Sequence, residues 1–399
     1  MKVYKVLFTP AEPWFFGNEK NFLFPNQSSS GSYSNSYFIK SEQMPSQSAV
    51  LGALRYIFIP VKKAKNKYNE QDFENNKKLI GGESFNIDSA TTQEFGKIKK
   101  ISPVFIVRDG KELIPAPLDH KNKFYNDESK ENETNEFYTP FKEYKVCMTN
   151  KDYMLTAADY VAKDELASGF VSLADGKFYK TSDIFGSEDR VGINRADRKG
   201  GFFKKQYCFF KKVTKDTKSK KTDTHEYSFA VYAVIDDEEL DGSIFNVTMG
   251  QGKSPFSVSF EEVCDADRLK DGKSPIEKDA EDFLKKKHCN LVFSDEQQKI
   301  ETGKCKLIYC LSDAVISTPY DKTVFAATKT KDYRAFLSKP NGIVEKGEKL
   351  HRLIKAGSVF ISTTADEWVN SIKNENVEQI GFNNFVVINI GGKTNEQDF

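Results

Sequence analysis

The sequence predicts an α+β protein, in which short strands outnumber helices and the two do not alternate at the even spacing of a doubly wound sheet. Three observations carry this. Runs with period-two alternation and β-branched or aromatic content recur, as in KVYKVLFT (2–9), SFAVYAVI (228–235) and FSVSF (256–260). Apolar residues at helical spacing mark one clear helix, over 46–58. No self-similarity of fixed period points to a repeat architecture.

The elements follow in order. In 2–9, Tyr4, Val6 and Phe8 alternate with polar neighbours, as a half-buried strand requires. Ser, Asn and Tyr dominate from Pro25 to Tyr37, which reads as a loop. The helix over 46–58 can be capped by Ser46 or Ser48, carries Val50, Leu51, Leu54, Ile57 and Phe58 on one face, and stops at Pro60. Residues 62–100 form a Lys-, Asn- and Glu-rich insertion with a short helix. Strands are expected at 101–108 and near 112–118, separated from later ones by a polar stretch at 119–136 that reads as an exposed loop or disordered segment. Further strands are expected at 202–213, 306–311 and 357–362, and a polar helix at 277–288.

Composition excludes several classes. Of 399 residues, 38% are hydrophobic and 29% charged, the profile of a folded globular chain long enough for two domains. Lys5 and Pro10 interrupt the apolar run a secretory signal needs, and no stretch approaches the roughly 20 apolar residues of a membrane helix, so no membrane association is expected. The six cysteines contain no CxxC, which favours reduced thiols and a cytoplasmic location. Net charge is only +1, yet residues 195–221 hold eleven Lys and Arg against Asp197 and Asp216, and an acidic run follows at 236–241.

Catalytic motifs do not assemble. Gly252-Lys253-Ser254 imitates the end of a P-loop, but Val247 stands where the first glycine belongs, and Pro255 opens a strand rather than a helix. His288, Cys289, Cys305 and Cys310 read as buried small hydrophobes plus a surface histidine, not as a zinc site. Of the four histidines, His351, near Lys355 and Gly357, is the best candidate acid or base for a ribonuclease, but a lone histidine beside Arg352 more often only contacts phosphate or solvent. The expectation is no enzyme, no metal and no cofactor.

Three features point to RNA. The helix over 46–58 presents Ser48, Gly52 and Arg55 opposite its apolar stripe, and its N-terminus suits an anion. In 189–212, Arg190, Arg195, Arg198, Lys199, Lys204 and Lys205 are interleaved with Phe202, Phe203, Tyr207, Phe209 and Phe210; charge tracks a backbone and rings stack bases, although a half-buried strand pair with a basic edge has the same pattern. Two glycine turns, Met249–Ser254 and Lys355–Ser358, permit close approach to a sugar-phosphate or simply turn the chain.

Taken in order, these pieces resemble a known family. Pro10, Pro13, Phe15, Phe16, Gly17 and Phe22 follow the first strand; Pro45, Ser46, Gly52, Ala53, Leu54 and Arg55 form P-S-x5-G-A-L-R; Arg190–Arg195 reads R-V-G-I-N-R; Gly250 and Gly252 mark the mid-chain turn; and Ala356–Phe360 reads A-G-S-V-F. The chain resembles the RAMP superfamily of CRISPR-associated proteins, and within it the foot subunits of type III-B (Cmr) effector complexes. The resemblance implies two ferredoxin-like (RRM-like) domains with insertions, taken as 1–225 and 226–399. It implies a subunit without nuclease activity that holds the 5′ tag of CRISPR RNA and sits between the large polymerase-like subunit and the backbone RAMP subunits. Carried onto this chain, Ser46, Gln47 and Arg55 match the helix that meets the tag, Arg190, Asn194 and Arg195 the R-x-G-I-x-R element, and Gly250, Gly252 and Lys253 the glycine loop. Arg198, Lys204, Lys205 and Lys355 complete the expected RNA contacts. Family members carry a more glycine-dense loop, often with Arg where Lys253 or Ser254 stands, and the acidic insertion near 126–136 has no counterpart. The type III-A foot subunit has similar motifs, and a RAMP endoribonuclease that processes precursor CRISPR RNA would need a histidine near the N-terminal helix.

Overall fold

A computed structural model describes residues 1–17, 21–27, 33–59, 70–82, 84–120, 137–148, 153–158, 160, 168–194, 201–215, 222–237, 239–250, 252–263, 272–289, 291–294, 304–318, 320, 322–338, 344–347 and 349–390. The architecture is mixed α+β, dominated by sheet. The chain divides into two compact units, each built from three stretches: Met1–Gly110, Ser182–Ala266 and Asp332–His351 in the first, Lys111–Thr181, Asp267–Lys331 and Arg352–Phe399 in the second. The contiguous division expected at 225/226 is therefore replaced by an interleaved one. The reason is strand pairing: β1 (Lys2–Pro10) has one antiparallel neighbour at Tyr227–Ile235 and the other at Ser254–Glu262, both beyond residue 225.

In the first unit β1 is central. Its alternation is realised as expected: Tyr4, Val6 and Phe8 are fully buried, with Val6 opposite Val231 and Phe260, and Phe8 opposite Phe229 and Val258. Ile244–Met249 extends this sheet beyond Ser254–Glu262. α1 (Gln47–Ile57) packs on that strand and buries Val50, Leu51, Ala53 and Leu54. Serine 46, of the two serines open to the role, is its N-cap, accepting from the Ala49 amide at 3.2 Å. The insertion carries the expected helix, α2 (Glu70–Ile80).

A second sheet in this unit runs in the order Phe185–Asn194, Gly201–Phe210, β3 (Tyr33–Lys40), β2 (Asn21–Gln27). Residues 25–27 and 33–37, within a stretch read from sequence as a loop, thus lie in two paired strands. The two strands pair with each other from Asn21↔Ile39 to Gln27↔Tyr33, and the end of β3 lies parallel to Gly201–Phe210 with Phe203 opposite Tyr37. Trp14, fully buried, joins the two sheets. Its backbone exchanges hydrogen bonds with Cys208 at 2.8 and 2.9 Å, and its ring meets Phe210 at 4.8 Å and Phe229 at 5.1 Å.

In the second unit, Lys306–Cys310 lies between Val359–Ser362 and Phe385–Asn389, and a cluster including Phe360 and Trp368 fills one side. The expected polar helix spans Pro275–Lys287 behind a Ser274/Glu277 capping box. Three residues depart from the sequence expectation. Asp119 and His120, assigned to an exposed stretch, and His288, read as a surface histidine, are all buried. His288 Nε2 meets Asp119 Oδ2 at 2.8 Å and Nδ1 meets the Leu284 carbonyl at 2.9 Å, while the Tyr138 hydroxyl donates to Asp119 Oδ1 at 2.7 Å. The imidazole thus bridges the Asp119 carboxyl and the Leu284 carbonyl. Burial alone raises the Asp119 pKa, but the His288 charge and the hydrogen bonds from His288 and Tyr138 outweigh it and hold the carboxyl below its ordinary range. The rest of the 121–136 stretch lies outside the described residues.

Candidate nucleic-acid interface

The basic-aromatic segment folds as a ten-residue hairpin pair, Phe185–Asn194 against Gly201–Phe210, in register from Phe185↔Phe210 to Asn194↔Gly201. Opposed residues share a face. One face carries Glu188 with Tyr207 and Arg190 with Lys205, bracketed by Gly186 with Phe209 and Gly192 with Phe203. A Cβ on Gly186 would stand 2.3 Å from Phe209 Cζ, and one on Gly192 would stand 2.2 Å from Phe203 Cζ. Each glycine therefore lets a ring lie across the neighbouring strand, a recognised way to cover a strand glycine. The other face begins with the buried, stacked pair Phe185 and Phe210, centroids 5.4 Å apart, and continues outward to Asp189, Gln206 and Lys204.

Cations and rings alternate on the first face. The Arg190 guanidinium lies 4.3 Å from the Tyr207 centroid, while Nε and Nη2 each approach Glu188 Oε1 at 2.7 Å. Tyr207 meets Phe15 at 5.3 Å, and Lys205 Nζ lies 5.3 Å from Phe15 and 5.2 Å from Phe203. Such contacts hold long side chains in fixed rotamers with the charge at the surface. On the opposite face Lys204 Nζ is 2.7 Å from Asp189 Oδ2 and 5.4 Å from the Phe38 centroid, and Gln206 donates to Asp189 Oδ1 at 3.2 Å. The hydrogen bond from Lys204 is the main cause holding the Asp189 carboxyl below its usual pKa.

Phe15 brings the glycine turn to this face. A Cβ on Gly250 (φ +73°) would lie 2.5 Å from the Phe15 carbonyl oxygen, and one on Gly252 would lie 3.0 Å from Phe15 Cβ. The Phe15 amide donates to Ser254 Oγ at 3.1 Å. Both glycines thus answer first to protein backbone and side chain. Lys253, exposed, adopts φ +50°, a left-handed conformation that is unusual for lysine.

The remaining expected residues divide. Ser46 spends its hydroxyl on the helix cap, and Ser48 Oγ meets the Tyr333 hydroxyl at 2.9 Å, so both hydroxyls are engaged within the chain. Gln47 is buried: Nε2 donates to the Ser102 carbonyl at 2.9 Å and Oε1 accepts from the Val104 amide at 3.0 Å. Its assignment as an RNA contact is corrected to a structural role. Arg55 donates to the Gly81 carbonyl at 3.1 Å and stands 5.7 Å from the Phe95 centroid; burial lowers its pKa. Asn194 ends the first hairpin strand, while Arg195 and Arg198 lie outside the described residues. Lys355 belongs to the second unit, where its carbonyl accepts from Ser358 Oγ at 2.7 Å. His351 Nε2 pairs with Asp88 Oδ2 at 3.1 Å. In the acidic run, Asp237 pairs with Lys97 and Asp241 accepts from the Glu262 amide at 2.8 Å. Sequence reasoning missed Glu188, Asp189 and the packing role of Phe15; the adjacent acids beside Arg190 were the available signal.

The family described as CRISPR-associated protein (Cas_Cmr3) matches the chain over residues 6–390. Two solved structures of type III-B Cmr-beta, one bound to cognate target RNA and AMPPnP (state 1) and one bound to cognate target RNA, contain chains 15% identical to this one with a TM-score of 0.45. The match covers 96% of this chain in both cases, and 95% and 96% of those chains respectively. A comparison with curated proteins gives no match. The chain belongs to the Cas_Cmr3 family of CRISPR-associated proteins.

Proposed function

We propose that this Cas_Cmr3-family chain is a non-catalytic subunit of a type III-B RNA-guided effector complex and binds the 5′ tag of CRISPR RNA through the hairpin face and the adjoining glycine turn. The observation that carries the reading is the convergence on Phe15 of three segments far apart in sequence. The first-strand exit, the turn Gly250–Ser254 and the Arg190/Tyr207/Lys205 face meet there. Arg190, Lys205 and Lys253 supply cations for phosphates, and Tyr207 and Phe203 supply rings. Phosphate contacts position a strand and ring or edge contacts read it, the division expected for single-stranded RNA.

Binding here involves no turnover. His351, the best histidine for acid-base work, is engaged with Asp88. The reading further includes two ferredoxin-like halves, a cytoplasmic location, and contacts to the large polymerase-like subunit and the backbone RAMP subunits. The test is affinity purification of the full chain from its native host in mild salt, followed by sequencing of the RNA that accompanies it. Short RNAs with one repeat-derived 5′ end, with a large subunit and backbone subunits alongside, are expected. RNA with random ends, or none, overturns the reading.

A further inference from the structure

The two acids at the centre of the hairpin stand against cations that the RNA-binding reading assigns to phosphates. Glu188 and Asp189 are neighbours in one strand, so their side chains leave on opposite faces. Each holds the cation of its own face: Glu188 Oε1 lies 2.7 Å from both Nε and Nη2 of Arg190, and Asp189 Oδ2 lies 2.7 Å from Lys204 Nζ. Both pairs are solvent-exposed, with side-chain exposures of 44% and 40% for Arg190 and Glu188, and 37% and 40% for Lys204 and Asp189. Neither acid is required for burial of the core, and exposed pairs of this kind contribute about 0–1 kcal/mol to folding. What they do control is the availability and posture of the cations. The guanidinium carbon lies over the Tyr207 ring at 4.3 Å, and Lys204 Nζ lies over Phe38 at 5.4 Å.

We propose that Glu188 and Asp189 are specificity-determining residues that act as internal phosphate substitutes. They hold Arg190 and Lys204 in place and exclude ligands that bring a single anion, so that only a strand with successive phosphates displaces them. This inference rests on the RNA-binding reading above. A lone inorganic phosphate meets a site already neutralised. A single-stranded RNA releases condensed counterions at several contacts together and gains enough to open the pair on the face it follows. The acids therefore set a threshold on affinity, and their removal weakens discrimination rather than the fold.

The experiment measures binding of a labelled short single-stranded RNA to the full chain by fluorescence anisotropy over a salt series, with inorganic phosphate as competitor. The chains compared are wild type, Glu188→Gln/Asp189→Asn, and the charge-matched control Asp366→Asn/Glu367→Gln. A fourth chain, Arg190→Ala/Lys205→Ala, reports on the RNA-binding reading itself. The gate variant is expected to bind about threefold to tenfold more tightly than wild type near 0.1 M salt. It should also be displaced by phosphate that leaves the wild type bound, while the control matches wild type. Tightening of gate and control variants alike assigns the effect to bulk charge and overturns the proposal. An unchanged or weakened gate variant overturns it while leaving the RNA reading intact, provided the Arg190/Lys205 variant loses binding. No binding by wild type and gate variant together overturns both.

Discussion

At the residue scale, Gln47 and Arg190 read alike in the sequence, as polar groups on candidate RNA motifs, and the structure separates them by burial. Gln47→Ala strips hydrogen bonds from the buried Ser102 carbonyl and Val104 amide, so a loss of about 2–3 kcal/mol is expected in denaturant melts. RNA affinity of the chain that remains folded should not change. Arg190→Ala reverses the pattern: the melting temperature stays within about a degree or two, and RNA affinity near 0.1 M salt falls roughly tenfold. The buried Asp119–His288 pair was not legible, because nothing local in a polar stretch announces a partner 169 positions away. His288→Ala removes the Nε2 contact to the buried Asp119 carboxyl and leaves it the Tyr138 hydroxyl, and is expected to cost about 3–5 kcal/mol. The sign of the pH effect follows from the depressed Asp119 pKa. Its contribution is complete above the unfolded carboxylate value of roughly 3.9 and is lost as pH falls through the lower folded value. Melts of Asp119→Asn taken below pH 4 should therefore show a shallower acid loss than wild type. An equal slope in both would remove Asp119 as a source of the acid sensitivity.

At the element scale, the alternating strands and the capped helix were legible because their signals are local: Tyr4/Val6/Phe8 and Val50/Leu51/Leu54 fall on single faces. The first strand of the hairpin was not, since Gly186, Gly192 and the run Glu188-Asp189-Arg190 lower strand propensity. Their compensation, rings laid across from Phe209 and Phe203, comes from the partner strand. β2 and β3 were hidden for a related reason, a Ser- and Asn-rich composition stabilised by their pairing with each other and by that of β3 with Gly201–Phe210. Gly192→Val should displace the Phe203 ring, detectable as a change in aromatic circular dichroism, and weaken RNA binding with little change in secondary structure. Gly250→Ala meets both a positive φ and the Phe15 carbonyl. A destabilisation of about 2 kcal/mol or more is expected from melts, since backbone has no room to yield. A neutral Gly250→Ala would show that the turn is not held against Phe15.

At the scale of the whole molecule, the family was legible from ordered short motifs, but the division of the chain was not. Pairing of β1 with Tyr227–Ile235 and Ser254–Glu262 is a long-range fact that no linker composition reveals. A fragment 1–225 lacks both partners of its central strand and is expected to show no cooperative melt, whereas the full chain melts cooperatively. A folded 1–225 fragment would contradict the interleaved units. Near-zero net charge likewise hid the basic face of the hairpin, whose cations are set by position rather than by sum. The most direct test of the central claim is photocrosslinking of the full chain to CRISPR RNA carrying a photoreactive group in its 5′ tag, with crosslinked peptides identified by mass spectrometry. The account predicts crosslinks concentrated in Glu188–Gly192, Phe203–Tyr207 and Gly250–Lys253, abolished by Arg190→Ala/Lys205→Ala. Crosslinks confined to other segments, or unaffected by that double substitution, would contradict it.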